Sequence, residues 1–271
     1  MFKTRFLSGA VLTVLAIGIL YVGGYLTGAA VLMLSMGGII ELLRVYQIHN
    51  KPIGVIAYIA TAVYYALLFF DKQQFVIPLI IVFVLSVLSV YVICFPKYRD
   101  KDAMAVILSF FYVTLMLSYV YLIRELPYGG GLVVMIFICS WINDTCAYCV
   151  GVRLGKHKMT PQLSPKKSVE GLIGGIAGAA LVAGLYGIFF SKYVYELSNG
   201  PLIFAIVGAI GAGIAVLGDL AASAIKRNHD VKDYGKLIPG HGGILDRFDS
   251  MIFTAPVIYY CFIYMIGNLG G

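Results

Sequence analysis

The chain alternates long apolar stretches with short polar connections. Nine stretches stand out, at 6–22, 25–43, 53–70, 75–94, 103–123, 130–150, 170–190, 201–225 and 251–267, and together they fill about two thirds of the residues. Each is continuous, and most approach the ~20 residues that a helix needs to cross a bilayer. A membrane β-barrel would instead show segments of ~10 residues with apolar and polar positions in turn. In lipid, only helices and closed barrels satisfy their backbone hydrogen bonds internally. The pattern therefore predicts an all-α, polytopic integral membrane protein with about nine transmembrane helices. Only Gly23-Gly24 separates the first two spans, so that boundary is the least marked.

Composition agrees. Hydrophobic residues make up 61% of the 271 positions and charged residues 12%, with a mean hydropathy of +0.92. Soluble domains carry about 25% charged residues, and disordered chains carry few apolar ones. The five cysteines lie in or beside apolar runs, an odd and buried set that argues against a disulfide framework. Cys146 and Cys149 form a C-x-x-C, but on an apolar helix they are simply neighbours. The opening Met1-Phe2-Lys3-Thr4-Arg5 resembles a signal peptide's start. No small-x-small cleavage site follows, so it reads as a retained first span.

The net charge of +7 needs no nucleic acid to explain it. The N-terminus and the even-numbered connections hold 17 of the 20 Lys and Arg residues, leaving only Lys72, Arg124 and Lys192 on the other side. By the positive-inside bias, the basic side is cytoplasmic, and so is the N-terminus. Residues 1–128 carry no recognisable motif, whereas 129–271 carry the polar loops with chemical variety, about 151–169 and 226–250. The two parts are expected to form one membrane unit. Gly171, Gly174, Gly175 and Gly178 share small-x-x-x-small spacing, which suits close helix packing. Packing within the chain is the first reading of that stripe and a homodimer seam the second.

Ten of the 13 acidic residues lie on the basic side. Asp144 and Asp219 fall in the last third of the sixth and eighth stretches, where an ionisable group is costly and tends to be functional or paired. From Asp219, helical spacing aligns Ser223, Lys226 and Arg227 in one stripe towards the surface. Asp246 and Asp249 stand three apart beside Arg247, just after His241, Gly242 and Gly243. Magnesium is commonly held by one or two carboxylates plus phosphate oxygens. Cations neutralise the remaining phosphate charge, and glycines let backbone N–H groups approach an anion. Hard acids, cations and glycines at a membrane surface point to phosphate-ester chemistry with a metal. In the other loop, Ser164, Lys166, Lys167 and Ser168 precede the seventh stretch; Ser168 is placed to cap that helix, whose N-terminus would offer an anion site. Glu41 and Arg44, three apart, are expected to pair with each other. The four histidines are scattered, which disfavours zinc.

The run Ser223-x2-Lys226-Arg227-x4-Lys232-Asp233-x5-Pro239-x-His241-Gly242-Gly243-x2-Asp246-Arg247-x-Asp249 resembles the signature of the phosphatidate cytidylyltransferase (CDP-diacylglycerol synthase) family at all 12 fixed positions. Two further blocks are similar to that family: Asp144-Thr145-Cys146-Ala147-Tyr148 leading to Gly151, Gly155 and Lys156, and Ser164-Pro165-Lys166-Lys167-Ser168 with Glu170 and Gly171. Gly218-Asp219-Leu220 fits as well. The resemblance implies transfer of a cytidylyl group from CTP to phosphatidate, giving CDP-diacylglycerol and pyrophosphate in a bacterial inner membrane, with the active site cytoplasmic and a divalent metal present. In that setting Asp219 and Asp246 are expected to hold Mg2+, with Asp144 and Asp249 in or next to its shell and room for a second ion. Lys226, Arg227 and Arg247 would face the phosphates. Lys166 and Lys167 would reach triphosphate or lipid phosphate, with Ser164, Ser168, Ser223, Lys232, Gly242 and Gly243 lining the substrates. His241 would either bond a phosphate or support the glycine turn. A related CTP-using enzyme acting on an isoprenoid lipid or a polyprenol is the nearer alternative. A transporter is the distant one, because its charges would line a path near the midplane.

Overall fold

A computed structural model describes residues 2–194, 199–237 and 242–267. Among these, the helical segments follow the apolar stretches: α1 (Phe2–Val22), α2 (Gly24–Val45), α3 (Pro52–Phe69), α4 (Val76–Ile93), α5 (Asp100–Glu125), α6 (Gly129–Leu154), α7 (Val169–Val194), α8 (Gly200–Asn228) and α9 (Leu245–Gly267). Seven of the segments, α2 to α8, are long and apolar enough to cross a membrane, so the chain is a multi-pass membrane protein. Proline starts α3 at its first turn, where no N–H partner is lost. Short π-helical turns at Phe110–Leu115 and Ile138–Ile142 interrupt α5 and α6; such turns widen one turn without ending the helix.

The polar loop after α6 holds an element that hydropathy did not foresee. Strands β1 (Lys158–Thr160) and β2 (Ser164–Ser168) pair antiparallel, with Lys158 opposite Ser168 and Thr160 opposite Ser164. They are short and polar, with Pro161 in the turn between them and Pro165 within β2, so no alternating apolar pattern marks them.

The chain clusters into two compact units, Met1–Tyr121 with Asn228–Arg247, and Leu122–Arg227 with Phe248–Gly271. In the first unit, Ile39, Leu42, Leu43, Tyr65, Phe83 and Phe110 form a buried centre. Hydroxyl pairs bridge its helices: Ser35 with Tyr65 at 2.8 Å, Thr61 with Thr114 at 2.7 Å, and Tyr64 with Ser118 at 2.9 Å. Such bonds tie helices together in a setting without water to compete. On α4, large apolar side chains such as Ile77, Ile81 and Ile93 are exposed, which suits contact with lipid.

In the second unit, small residues let helices close on one another. A Cβ on Gly174 would lie 2.5 Å from the Val150 side chain, one on Gly175 2.4 Å from Asn143 Oδ1, and one on Gly178 2.4 Å from Cys146 Sγ. The glycine stripe of α7 is thus filled by α6 of the same chain. Gly208 and Gly211 on α8 make similar approaches to Ala183 and Cys139.

Candidate active site

A cleft of about 650 Å3 opens in the second unit between the end of α6, the β1–β2 hairpin and the start of α7. That volume falls in the range of small-molecule sites. Its polar lining comes from Asp144, Tyr148, Lys158, Ser164, Lys166, Lys167 and Ser168, and Gly151, Gly155 and Gly171 form part of its wall. The wall has no room for side chains. A Cβ at Gly155 would lie 2.3 Å from the Gly151 carbonyl oxygen and 2.7 Å from Ser168 Oγ, and one at Gly171 would lie 2.9 Å from the Ala147 carbonyl oxygen.

Local bonds hold the lip of this cleft. Ser168 caps α7 as its position suggests, Oγ accepting from the Gly171 N–H at 3.1 Å. The Glu170 carboxylate accepts from the Lys156 and His157 N–H groups at 3.1 and 3.2 Å and meets His157 Nδ1 at 2.6 Å. One acidic side chain thereby fastens the turn after α6 to the first turn of α7.

Below the lip sits the charged cluster. Lys167 Nζ lies 2.5 Å from Asp219 Oδ2, with the two side chains 24% and 31% exposed. The nitrogen is screened from solvent, and the Asp219 carboxylate is the charge it meets. Asp144 feels both Lys167 and Asp219. Asp249, at the start of α9, feels the negative charges of Asp219 and Asp144 and the positive charge of Lys226. Gly218 brings α9 into reach, since a Cβ there would lie 2.7 Å from the Asp249 carbonyl oxygen. Further along the α8 stripe, Ser223 Oγ donates to Asp219 Oδ1 at 3.4 Å, Lys226 is buried and Arg227 is exposed. Three carboxylates on three helices thus share a small space with two lysines. Among the described residues, no group of three or more His, Cys, Asp or Glu side chains is spaced to enclose a metal ion unaided.

The other half of the signature belongs to the first unit. Asp246 Oδ2 accepts from the Tyr234 N–H at 2.8 Å and the Gly243 N–H at 3.0 Å, drawing the loop back onto the helix start. Gly242 adopts φ +88°, a backbone state that favours glycine. Glu41 does not pair with Arg44. Its buried carboxylate receives the Ile244 N–H on Oε1 at 2.9 Å and the Leu245 N–H on Oε2 at 3.0 Å. These are N–H groups that the first turn of a helix leaves without partners, and an anion is favoured there. Gly243 and Gly235 make room, since a Cβ at either would lie 2.4 Å from a Glu41 carboxylate oxygen. Gly242 is half-buried and Gly243 buried, while Lys232 and Arg247 are exposed. His241 lies outside the described residues. Spacing alone missed Glu41, although a carboxylate within an apolar span was a signal. Tyr148 and Lys158 become cleft residues only through the hairpin.

Comparison with known proteins adds an independent line. The model of the Cytidylyltransferase family matches residues 3–265. The chain belongs to the cytidylyltransferase family. Among its curated relatives, the phosphatidate cytidylyltransferase of Thermotoga maritima is 35% identical over 204 residues, covering 74% of this chain and 73% of that protein. The enzyme of the same name from Synechocystis is 42% identical over 137 residues, covering 51% of this chain and 45% of that protein. The Bacillus subtilis protein of that name is 41% identical over 157 residues, covering 56% and 55%.

Proposed function

We propose that this cytidylyltransferase-family protein transfers a cytidylyl group from CTP to phosphatidate, releasing pyrophosphate and leaving CDP-diacylglycerol in the bilayer. The observation that carries the reading is the cleft lined by Asp144, Lys166, Lys167 and the Ser168-capped start of α7, with Asp219 against Lys167. It stands in a chain whose relatives carry the name of that activity. Cations with a helix start form a phosphate cradle, and the carboxylates supply hard oxygen donors.

The reaction asks little covalent chemistry of the protein. A phosphate oxygen of the lipid attacks the α-phosphorus of CTP. The new P–O bond forms as the α–β bridging bond breaks, and pyrophosphate leaves with the electron pair. Catalysis then rests on holding attacker and leaving group in line and on neutralising their charge. Lys166 and Lys167 bind the triphosphate, with Lys167 swinging from Asp219 to a phosphate oxygen. Lys226 and Arg227 balance charge along the α8 stripe, and Ser164, Ser168 and Ser223 donate to substrate oxygens. From the signature loop, Lys232, His241, Gly242, Gly243 and Arg247 are assigned to the substrates by their positions in the motif. Asp246 holds that loop through its two backbone bonds and stands next in line as a metal ligand.

The donor set fits Mg2+, which favours oxygen and is usually bound by one or two carboxylates plus water and substrate phosphate rather than by a full protein cage. Asp219, Asp144 and Asp249 would hold it. When bound, the ion supplies positive charge to the phosphates. The 17 to 3 division of cations supports a cleft that opens to the cytoplasm, in a bacterial inner membrane.

The test is incubation of the detergent-solubilised protein with labelled CTP, Mg2+ and a panel of phospholipids, with product identification. Labelled CDP-diacylglycerol formed from phosphatidate alone supports the reading. Its absence, or an Asp219→Asn variant that keeps the wild-type rate, refutes it.

A further inference from the structure

The first unit carries a second cationic cleft that takes no part in the proposed transfer. It occupies about 270 Å3 and is lined by Tyr46 and Gln47 after α2, Lys51 before α3, Lys97 and Arg99 before α5, Lys101 and Asp102 on its first turn, and His229. None of these residues lines the catalytic cleft.

Charge balance in this cleft is lopsided. Lys51, Lys97, Arg99 and Lys101 contribute four cations, and Asp102 is the lone carboxylate in the lining. Asp102 is buried and committed locally, its Oδ2 accepting from the Arg99 N–H at 2.9 Å. Asp100, on the same turn, does not line the space. None of the four cations meets an Asp or Glu within ion-pair distance among the described residues. Like charges gathered around one concavity repel one another, and an anion entering it relieves that repulsion and collects several charge-assisted bonds.

The floor is ordered. Tyr46 and His229 meet edge to face with ring centroids 4.3 Å apart, bringing polar ring atoms into the lining beside the lysines. Around the cleft the helices turn apolar at once: on α3 and α4, Val55, Ile59, Val92 and Ile93 are exposed. Cations above and bare apolar helix faces below match a phosphate group at the level of a lipid head, with acyl chains alongside. The volume suits a phosphate or a diphosphate rather than a whole nucleotide.

We propose that this cleft is a second binding site for a phosphate group, separate from the catalytic one. A lipid phosphate head and a free phosphate or pyrophosphate offer the same chemistry, and the experiment separates them. The full-length protein, carrying Lys167→Gln to weaken the catalytic cleft, is placed in phosphatidylcholine nanodiscs. Binding of phosphatidate is measured by native mass spectrometry, and binding of inorganic phosphate and pyrophosphate by titration calorimetry. The comparison variant adds Lys97→Gln, Arg99→Gln and Lys101→Gln, all exposed side chains whose loss leaves packing intact.

One bound phosphate species that weakens about tenfold in the comparison variant, and also weakens as salt is raised, is the expected result. Phosphatidate as the one species that weakens in the comparison variant assigns the cleft to a lipid head, and pyrophosphate or phosphate as the one that weakens assigns it to a soluble anion. If neither class binds, or if binding is the same in both variants, the proposal is overturned. The readout is binding without turnover, so it stands or falls independently of the transfer reaction.

Discussion

Glu41 offers the sharpest test of how the signature loop is held. Its carboxylate takes both the Ile244 and Leu245 N–H groups at 2.9 and 3.0 Å in a place where Glu41 itself is 4% exposed. A hydrogen bond to a charged group contributes about 1.5–3 kcal/mol, and a buried N–H left without a partner costs about 1–3 kcal/mol. Glu41→Ala removes two such bonds and leaves a void beside Gly235 and Gly243, so a loss of about 2–5 kcal/mol follows. In a chain of this size that lowers the melting temperature by about 5 °C or more. Because the same turn leads into Asp246 and Asp249, the cytidylyl-transfer rate should fall at least about tenfold. Glu41→Gln, able to accept only one of the two N–H groups, should fall between wild type and Ala. Arg44→Ala should be silent, since Arg44 is exposed and does not hold Glu41 in place. The assay is thermal unfolding of the purified protein in detergent, run beside the CTP assay. If Glu41→Ala melts and turns over like the wild type, or if Arg44→Ala reproduces its effect, the carboxylate does not anchor this helix start.

Three further outcomes follow from the second unit. Lys167→Met leaves Asp144 and Asp219 without the cation that faces them, and cytidylyl transfer should fall about a hundredfold; Lys167→Met combined with Asp219→Asn should lose less than the sum of the singles, and strict additivity in a double-mutant cycle would break the coupling. Gly175→Leu forces a side chain into the Asn143 backbone, so the protein should melt earlier by several degrees; an unchanged melt would show that α6 and α7 do not meet there. Glu170→Ala frees the turn at Lys156 and His157, so limited proteolysis should cut there faster and KM for CTP should rise more than kcat falls. An unchanged cleavage pattern would mean the turn is held by something else.

The helical framework was legible because continuous apolar runs allow few alternatives in lipid, and each stretch from 25–43 to 201–225 became a helix within a few residues. Asp219 and Ser223 could be aligned from i, i+4 spacing because both lie on one uninterrupted helix. Glu41 could not. Its partners lie about 200 residues away in the chain, and local spacing suggested Arg44 instead. The hairpin was hidden for a different reason: its pairing rests on backbone bonds among lysines, serines and prolines, where no apolar alternation reports the strand. Asp246 looked like a free carboxylate in sequence, yet its loop folds back to use one of its oxygens.

The glycine contact between α6 and α7 bears on how substrate enters. Where Gly171, Gly174, Gly175 and Gly178 meet Ala147, Val150, Asn143 and Cys146, the two helices touch through backbone and short side chains, a seam with few rotamers to rearrange and little compressibility. The two helices therefore move as one lever. Asp144 on one and the capped start of the other keep a fixed spacing whatever the lipid around them does. The hairpin is the part of the lip that this seam does not brace, and Glu170 ties its incoming turn at Lys156 and His157.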